Sequence, residues 1–191
     1  MSRCLFALSL LLFTPTMLAA AEPYPTPTQG DYIIHDFHFK SGESLPELRI
    51  HYRTLGTPAK DDHGVVRNAV LILHGTTGNG GNFIRDEFAG ELFGKGQPLD
   101  ADKFFIILPD DIGHGGSSKP SDRLHAKFPR YGYLDMVEAE FRLVTDGLHV
   151  DHLRLVMGTS MGGMHSWLWP EIGRPSIGQC GLPIRAYSRR R

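Results

Sequence analysis

Cysteine is scarce in this chain: two in 191 residues, Cys4 and Cys180, too few for a disulfide framework. An excess of one charge is missing as well. The 20 basic residues stand against 21 acidic ones, a formal net charge of −1. That leaves no field to steer nucleic acid or an anionic lipid surface, and neither is expected as a principal partner. The apolar run at the start of the chain, Leu5 to Phe13, is too short for a helix to cross a bilayer of about 30 Å. What is present, 41% apolar and 21% charged residues, is the balance of a globular chain that buries a core. The length fits one domain with appendages.

The first appendage reads as an export signal. Arg3 supplies the positive end, Leu5 to Phe13 the apolar run, and Ala19-Ala20-Ala21 the small residues a signal peptidase requires. Residues 1–21 are therefore expected to be removed before Glu22, leaving Cys180 as the only thiol and sending the protein to the periplasm or the exterior. Residues 22–30, with three prolines, read as a loose leader. The second appendage is residues 170–191. Residues 22–169 carry a net charge of −6, whereas the last 22 carry +4 and end on Arg189-Arg190-Arg191. This tail has no helical or alternating period, and it follows the middle of a helix-forming pattern. The expectation is an irregular basic segment foreign to the domain before it.

Between the two, residues 31–169 alternate strand and helix signals, the mark of an α/β layer architecture. Tyr32 to Phe39 and Leu48 to Tyr52, flanking Ser41-Gly42, predict an antiparallel pair. Ala69 to Leu73, Lys103 to Leu108 and Leu153 to Met157 are apolar runs of the kind buried on both faces of a parallel sheet. Each ends in a glycine-bearing turn, and ten of the 22 glycines fall in those three turns. They cluster at the carboxyl ends of strands, where open α/β sheets build their sites. Before the last run, Val137, Phe141, Val144 and Leu148 form one helical stripe. Asp135 is expected to cap that helix, with Glu138 in the capping-box position and Gly147 at the stop.

The chemistry concentrates in Gly158-Thr159-Ser160-Met161-Gly162, a G-x-S-x-G match that follows an apolar run and opens a helix-like segment. A sharp strand-to-helix turn strains the serine, and only small residues two positions either side let the chain pass. Attack by Ser160 on an acyl carbon creates an oxyanion that needs donors. The motif supplies the backbone N–H of Met161. The loop His74-Gly75-Thr76-Thr77-Gly78 supplies the backbone N–H of Thr76 as the second candidate. Phosphate binding by that loop is excluded, since it has neither G-x-G-x-x-G spacing nor a Gly-Lys-Ser/Thr ending.

His51 to Gly56, Asn68 to Gly75, Gly96 to Asp100 and Gly158 to Met164 together resemble the homoserine O-acetyltransferase branch of the α/β-hydrolases. Asp111-Ile112-Gly113-His114-Gly115-Gly116-Ser117 is similar to that family's loop after the next strand. The resemblance covers residues 48–169. It implies the N-terminal part of an α/β-hydrolase fold, a mostly parallel sheet with flanking helices, of which the complete form has eight strands. It also implies Ser160 as nucleophile of an acyl-enzyme. His74, Gly75, Gly158, Gly162, Asp111 and His114 are read as the supporting loop positions.

In this fold the triad acid and histidine follow the serine in chain order. Here 31 residues follow Ser160, none an Asp, with Glu171 the one acid and His165 the one histidine. On a helix His165 lies five positions on, about 140° round the axis from the serine, so it is not the base by that geometry. A truncated or frameshifted chain, incomplete after Trp169, accounts for both the absent triad members and the composition break. The pairs His35/His38 and His149/His152 lack a third ligand at metal spacing, and no metal or cofactor is expected. The reading is a serine acyl hydrolase, esterase-like, acting on a small ester or acyl substrate and impaired in this chain. A non-catalytic remnant, a binding module and an O-acetyltransferase are the alternatives. Export favours water as acyl acceptor.

Overall fold

The structure, a computed structural model, describes residues 24–172. The predicted export signal, its cleavage point, Cys4 and Cys180, and all but the first three residues of the predicted basic tail lie outside the described residues. Five strands form one mixed sheet in the order β1-β2-β4-β3-β5: β1 (Thr28–His38), β2 (Ser44–Leu55), β3 (Ala69–Leu73), β4 (Phe105–Pro109) and β5 (Leu153–Gly158). β1 and β2 form the expected antiparallel pair. β2 joins β4 antiparallel, while β4, β3 and β5 run parallel.

β3 and β4 are buried along their whole length, which is why they read as unbroken apolar runs rather than alternating ones. Val70, Ile72, Ile106 and Leu108 pack on one face with Phe83 and Phe93. Leu71, Leu73, Phe105 and Ile107 pack on the other with Val137, Val144 and Trp169. α1 (Ala89–Leu92) lies on the first face, and α2 (Tyr133–Arg142) and α3 (Met161–Ile172) lie on the second. Among the described residues no helix is long and apolar enough to cross a membrane.

Local expectations are corrected at the start of β1, at the cap of α2 and at the end of α3. The leader assigned to residues 22–30 overlaps β1: Thr28, Gln29 and Gly30 pair with Thr54, Arg53 and Tyr52. Glycine at position 30 makes room for the Tyr52 ring, which a Cβ there would meet at 2.7 Å from its hydroxyl. Tyr24 is docked too, its hydroxyl donating to the Ile84 carbonyl at 2.6 Å.

At α2 the cap is Gly132, not Asp135. Asp135 takes the third helical position and reaches back to accept from the Gly132 N–H at 2.9 Å, and it also accepts from the Lys40 N–H at 2.7 Å. Glu138 is free of capping and pairs with Arg142 at 2.9 Å. The apolar stripe continues through a widened π turn, Leu143–Gly147. Gly147 is required by close approach of the Tyr32 ring, 2.9 Å from where a Cβ would sit, and the left-handed turn comes two residues later at His149, φ +54°.

Finally, the last helix does not stop at Trp169. α3 runs through Pro170 to Ile172, and Trp169 is a core residue. A proline in the last turn removes one donor without ending the helix at once.

Candidate active site

The strand order reverses at β3, with β4 on one side and β5 on the other, and the crevice at that switch point is where α/β sheets place ligands. The loops after β3 and β5 meet there. Ser160 stands at the junction of β5 and α3 with φ +52°, the left-handed region that a non-glycine residue enters only under constraint. The constraint is visible on both sides. A Cβ on Gly158 would lie 2.3 Å from the Gly162 backbone, and one on Gly162 would lie 2.2 Å from the Leu73 carbonyl oxygen. The Thr159 N–H donates to Leu73 O and the Gly162 N–H to His74 O, each at 3.0 Å. The steric logic of the G-x-S-x-G spacing is therefore present in full, and Ser160 is exposed.

The β3 loop lies against this elbow. A Cβ on Gly75 would be 3.3 Å from the Ser160 Cβ. His74 is buried, its Nδ1 donating to the Gly75 carbonyl at 2.8 Å while its Nε2 accepts from the Asp111 N–H at 3.0 Å. That pair of bonds fixes the tautomer. His114 packs edge-on against His74, with Nε2 2.6 Å from the Thr76 carbonyl and Nδ1 3.0 Å from the Ile112 carbonyl. Among the described residues, neither the Thr76 N–H nor the Met161 N–H has a hydrogen-bond acceptor, and the second lies at the positive end of α3.

Asp111 behaves differently from a loop residue. It is buried beneath the site, its Oδ2 3.6 Å from His74 Nε2 and 3.6 Å from His165 Nδ1. His165, on α3, is also buried and holds Glu140 Oε1 at 2.9 Å through Nδ1. Trp169 Nε1 donates to the other oxygen of Glu140 at 2.7 Å. Burial pushes Glu140 up to about 7, and burial followed by the neighbouring Glu140 raises Asp111 well above the carboxylate range. His165 is lowered, chiefly by burial. Asp111, Glu140 and His165 present ligand atoms within 4.8 Å of one another, the one His/Cys/Asp/Glu group of metal-binding spacing among the described residues.

Sequence reasoning missed Glu140 and Asp110. Glu140 had a signal: three residues after Val137 and four before Val144, it falls inside the apolar stripe, where a carboxyl cannot be solvated. Asp110, fully buried at the end of β4, accepts from Arg53 Nη1 at 2.9 Å, from the Gly80 N–H at 2.7 Å and from the Gly116 N–H at 2.7 Å. It ties β2 to two loops flanking the crevice.

A sequence model of the α/β hydrolase fold matches residues 68–177, eight residues further than the resemblance read from the motifs. The chain belongs to the α/β-hydrolase fold family. Among curated relatives of this α/β-hydrolase, a protein of Methanothermobacter thermautotrophicus named "Probable acyltransferase" is 36% identical over 71% of the chain and 41% of its own length. A homoserine O-acetyltransferase of Chlorobaculum parvum is 35% identical over 70% of the chain and 37% of its own length. Among solved structures, an acetylester hydrolase from Corynebacterium glutamicum superposes with a TM-score of 0.64 and 26% identity, covering 74% of the chain and 40% of that structure. The chain thus spans about two-fifths of the length of the relatives it matches. Acyltransferases and ester hydrolases both stand among the family's members, and the α/β-hydrolase chain described here is related to both.

Proposed function

We propose that this α/β-hydrolase is a serine acyl-transfer protein, esterase-like, in which Ser160 Oγ takes an acyl group from a small ester. The observation that carries the reading is the left-handed Ser160 between two glycines with no room for a Cβ. It holds Ser160 on an exposed turn. Attack would place the new oxyanion between two N–H groups without acceptors among the described residues, those of Met161 and Thr76, and donors of that kind are commonly the largest single source of rate. Water as acyl acceptor is supported by the likeness to an acetylester hydrolase. The likeness to a homoserine O-acetyltransferase supports a second acceptor, an alcohol.

The described residues supply no base. His165 is buried and committed to Glu140, His74 to Gly75 and Asp111, and His114 to two carbonyls. A serine hydroxyl without a base is a poor nucleophile. A triad protease lacking one member keeps about 10³–10⁴ over water from binding and the oxyanion hole. The 191-residue chain is therefore expected to be labelled slowly and stoichiometrically by a fluorophosphonate and to turn over a nitrophenyl ester poorly. Labelling vanishes in Ser160→Ala and survives His114→Ala. Rapid turnover that disappears in His114→Ala would show that a loop histidine serves as base and would sink the impaired-site reading.

Export completes the proposal. The Arg3, Leu5–Phe13 and Ala19-Ala20-Ala21 arrangement supports processing before Glu22. Protein recovered outside the cytoplasm begins at or near Glu22 by N-terminal sequencing; residues 1–20 still attached in that fraction would contradict it.

A further inference from the structure

The cluster under the elbow holds a carboxyl that its neighbours do not explain. Asp111 is 1% exposed, and neither carboxyl oxygen has a donor among the described residues. An ionised, buried carboxylate in that position would be left without a hydrogen bond, which is costly. Glu140 is the opposite case, with both oxygens already accepting, from His165 Nδ1 and Trp169 Nε1. A proton on Asp111 resolves the mismatch. A protonated Asp111 has Glu140 within reach as its acceptor, a carboxyl oxygen of each lying within 4.8 Å of the other.

A cation does so less well. Three protein ligands sealed from water fall short of the four that zinc takes in closed sites and the six that magnesium demands, and His165 Nδ1 is already spent on Glu140.

We propose that Asp111 is a positioning residue that acts as a neutral carboxylic acid, and that its bond to Glu140 latches the turn after β4 to α2 and α3 beneath Ser160. Through its own N–H, Asp111 also holds His74, which holds Gly75, which abuts Ser160. The link to the reactive serine rests on the acyl-transfer reading above; the latch itself does not. The other groups facing it are His74 from the β3 loop, Tyr131 before α2, whose hydroxyl is raised by burial and then by Asp111, and Tyr133, whose ring meets His165 edge-on at 5.1 Å.

The pH signature follows from linkage. A carboxyl raised in the folded state keeps a proton that the unfolded chain has lost, so stability falls as pH rises toward the folded value. His165 is lowered and has the opposite sign, but its effect is complete once pH exceeds the ordinary histidine value of about 6.5. Above pH 6.5 the raised pair, Asp111 and Glu140, remains among these groups, and each proton that only the folded state retains raises the unfolding equilibrium constant by up to about tenfold per pH unit.

The experiment uses the full chain and Asp111→Asn, whose amide donates as the acid does but cannot ionise. Denaturant unfolding between pH 6.5 and 8.5 is expected to show stability falling with pH in the parent and falling less in Asp111→Asn, which is the more stable of the two across the range. The parent also shows a protonated-carboxyl infrared band at pH 7 that shifts on carbon-13 labelling of aspartate. That band decides the matter alone if the variant does not fold, and its absence overturns the latch. Equal pH slopes in the two proteins also overturn it. So does stoichiometric binding of Zn²⁺ or Mn²⁺ alone, abolished in Asp111→Asn, which would make the cluster a metal site. The fluorophosphonate labelling rate of the parent, relative to Asp111→Asn, falls across the same pH range; a ratio that stays constant removes the positioning role. If neither protein labels at Ser160, the acyl-transfer reading fails while the slopes and the infrared band still decide the latch.

Discussion

The polar groups at the end of β5 and those at the end of β4 are treated in opposite ways. Ser160 is exposed, and the N–H groups of Thr76 and Met161 have no acceptor among the described residues. Asp110, a few ångströms of chain beyond β4, is fully buried and saturated by Arg53, Gly80 and Gly116. Both arrangements are stable for the same reason: an unpaired polar group is tolerable where solvent or substrate reaches it and expensive where neither can. The open groups are therefore the ones available for chemistry, and the saturated ones hold the frame that presents them.

The hardest way to break that contrast is to remove the saturated side. Asp110→Ala leaves a half-buried guanidinium and two loop N–H groups without their acceptor. Losing one member of a buried pair costs about 3–5 kcal/mol, and denaturant unfolding should show a loss of that size. A cost below about 1 kcal/mol would mean the loops find other acceptors and that Asp110 frames nothing.

The open side should respond in the other direction. Ser160→Gly removes a side chain held at φ +52°, where a non-glycine residue stores about 1–3 kcal/mol. Part of that is offset by the greater freedom of glycine in the unfolded chain. The variant is expected to gain about 1 kcal/mol in unfolding free energy while losing all fluorophosphonate labelling. A site that gains stability as it loses reactivity is held strained for use. If Ser160→Gly is less stable than the parent, the turn is packing structure and the contrast collapses.

How far each side was legible in the sequence follows from the range of its interactions. The elbow is local, since Gly158, Ser160 and Gly162 constrain one another within five residues, and the spacing alone conveys the turn. The apolar runs of β3, β4 and β5 are legible for the same reason, as each records burial on both faces. Asp110 gains its meaning from Arg53, 57 residues away, and Gly80, 30 away. Asp111 depends on His74, 37 away, and Glu140 on His165 and Trp169, 25 and 29 away. Nothing in a local window reports such partners. Asp135 was misplaced by a smaller ambiguity: an acidic residue at a helix start serves equally as cap or as third residue reaching back, and only the extended backbone of Gly132 separates the two.

The smallest effect tests the contrast within a single helix. Glu138 and Glu140 lie two residues apart on α2, so they project about 200° apart around the axis. Glu138 meets Arg142 at 2.9 Å with both side chains about a third exposed, and Glu140 is sealed against His165 and Trp169. An exposed i,i+4 pair contributes about 0.3–0.5 kcal/mol, screened by salt. Glu138→Ala should therefore shift the denaturant midpoint barely beyond error, and the shift should shrink further in high salt. The parent's dependence of stability on pH above 6.5 should be untouched, because the surface pair contributes nothing to the latch. A loss above about 1.5 kcal/mol, or a changed pH slope in Glu138→Ala, would mean the two faces of α2 are coupled. The division between a solvated face and a sealed polar one would then not hold.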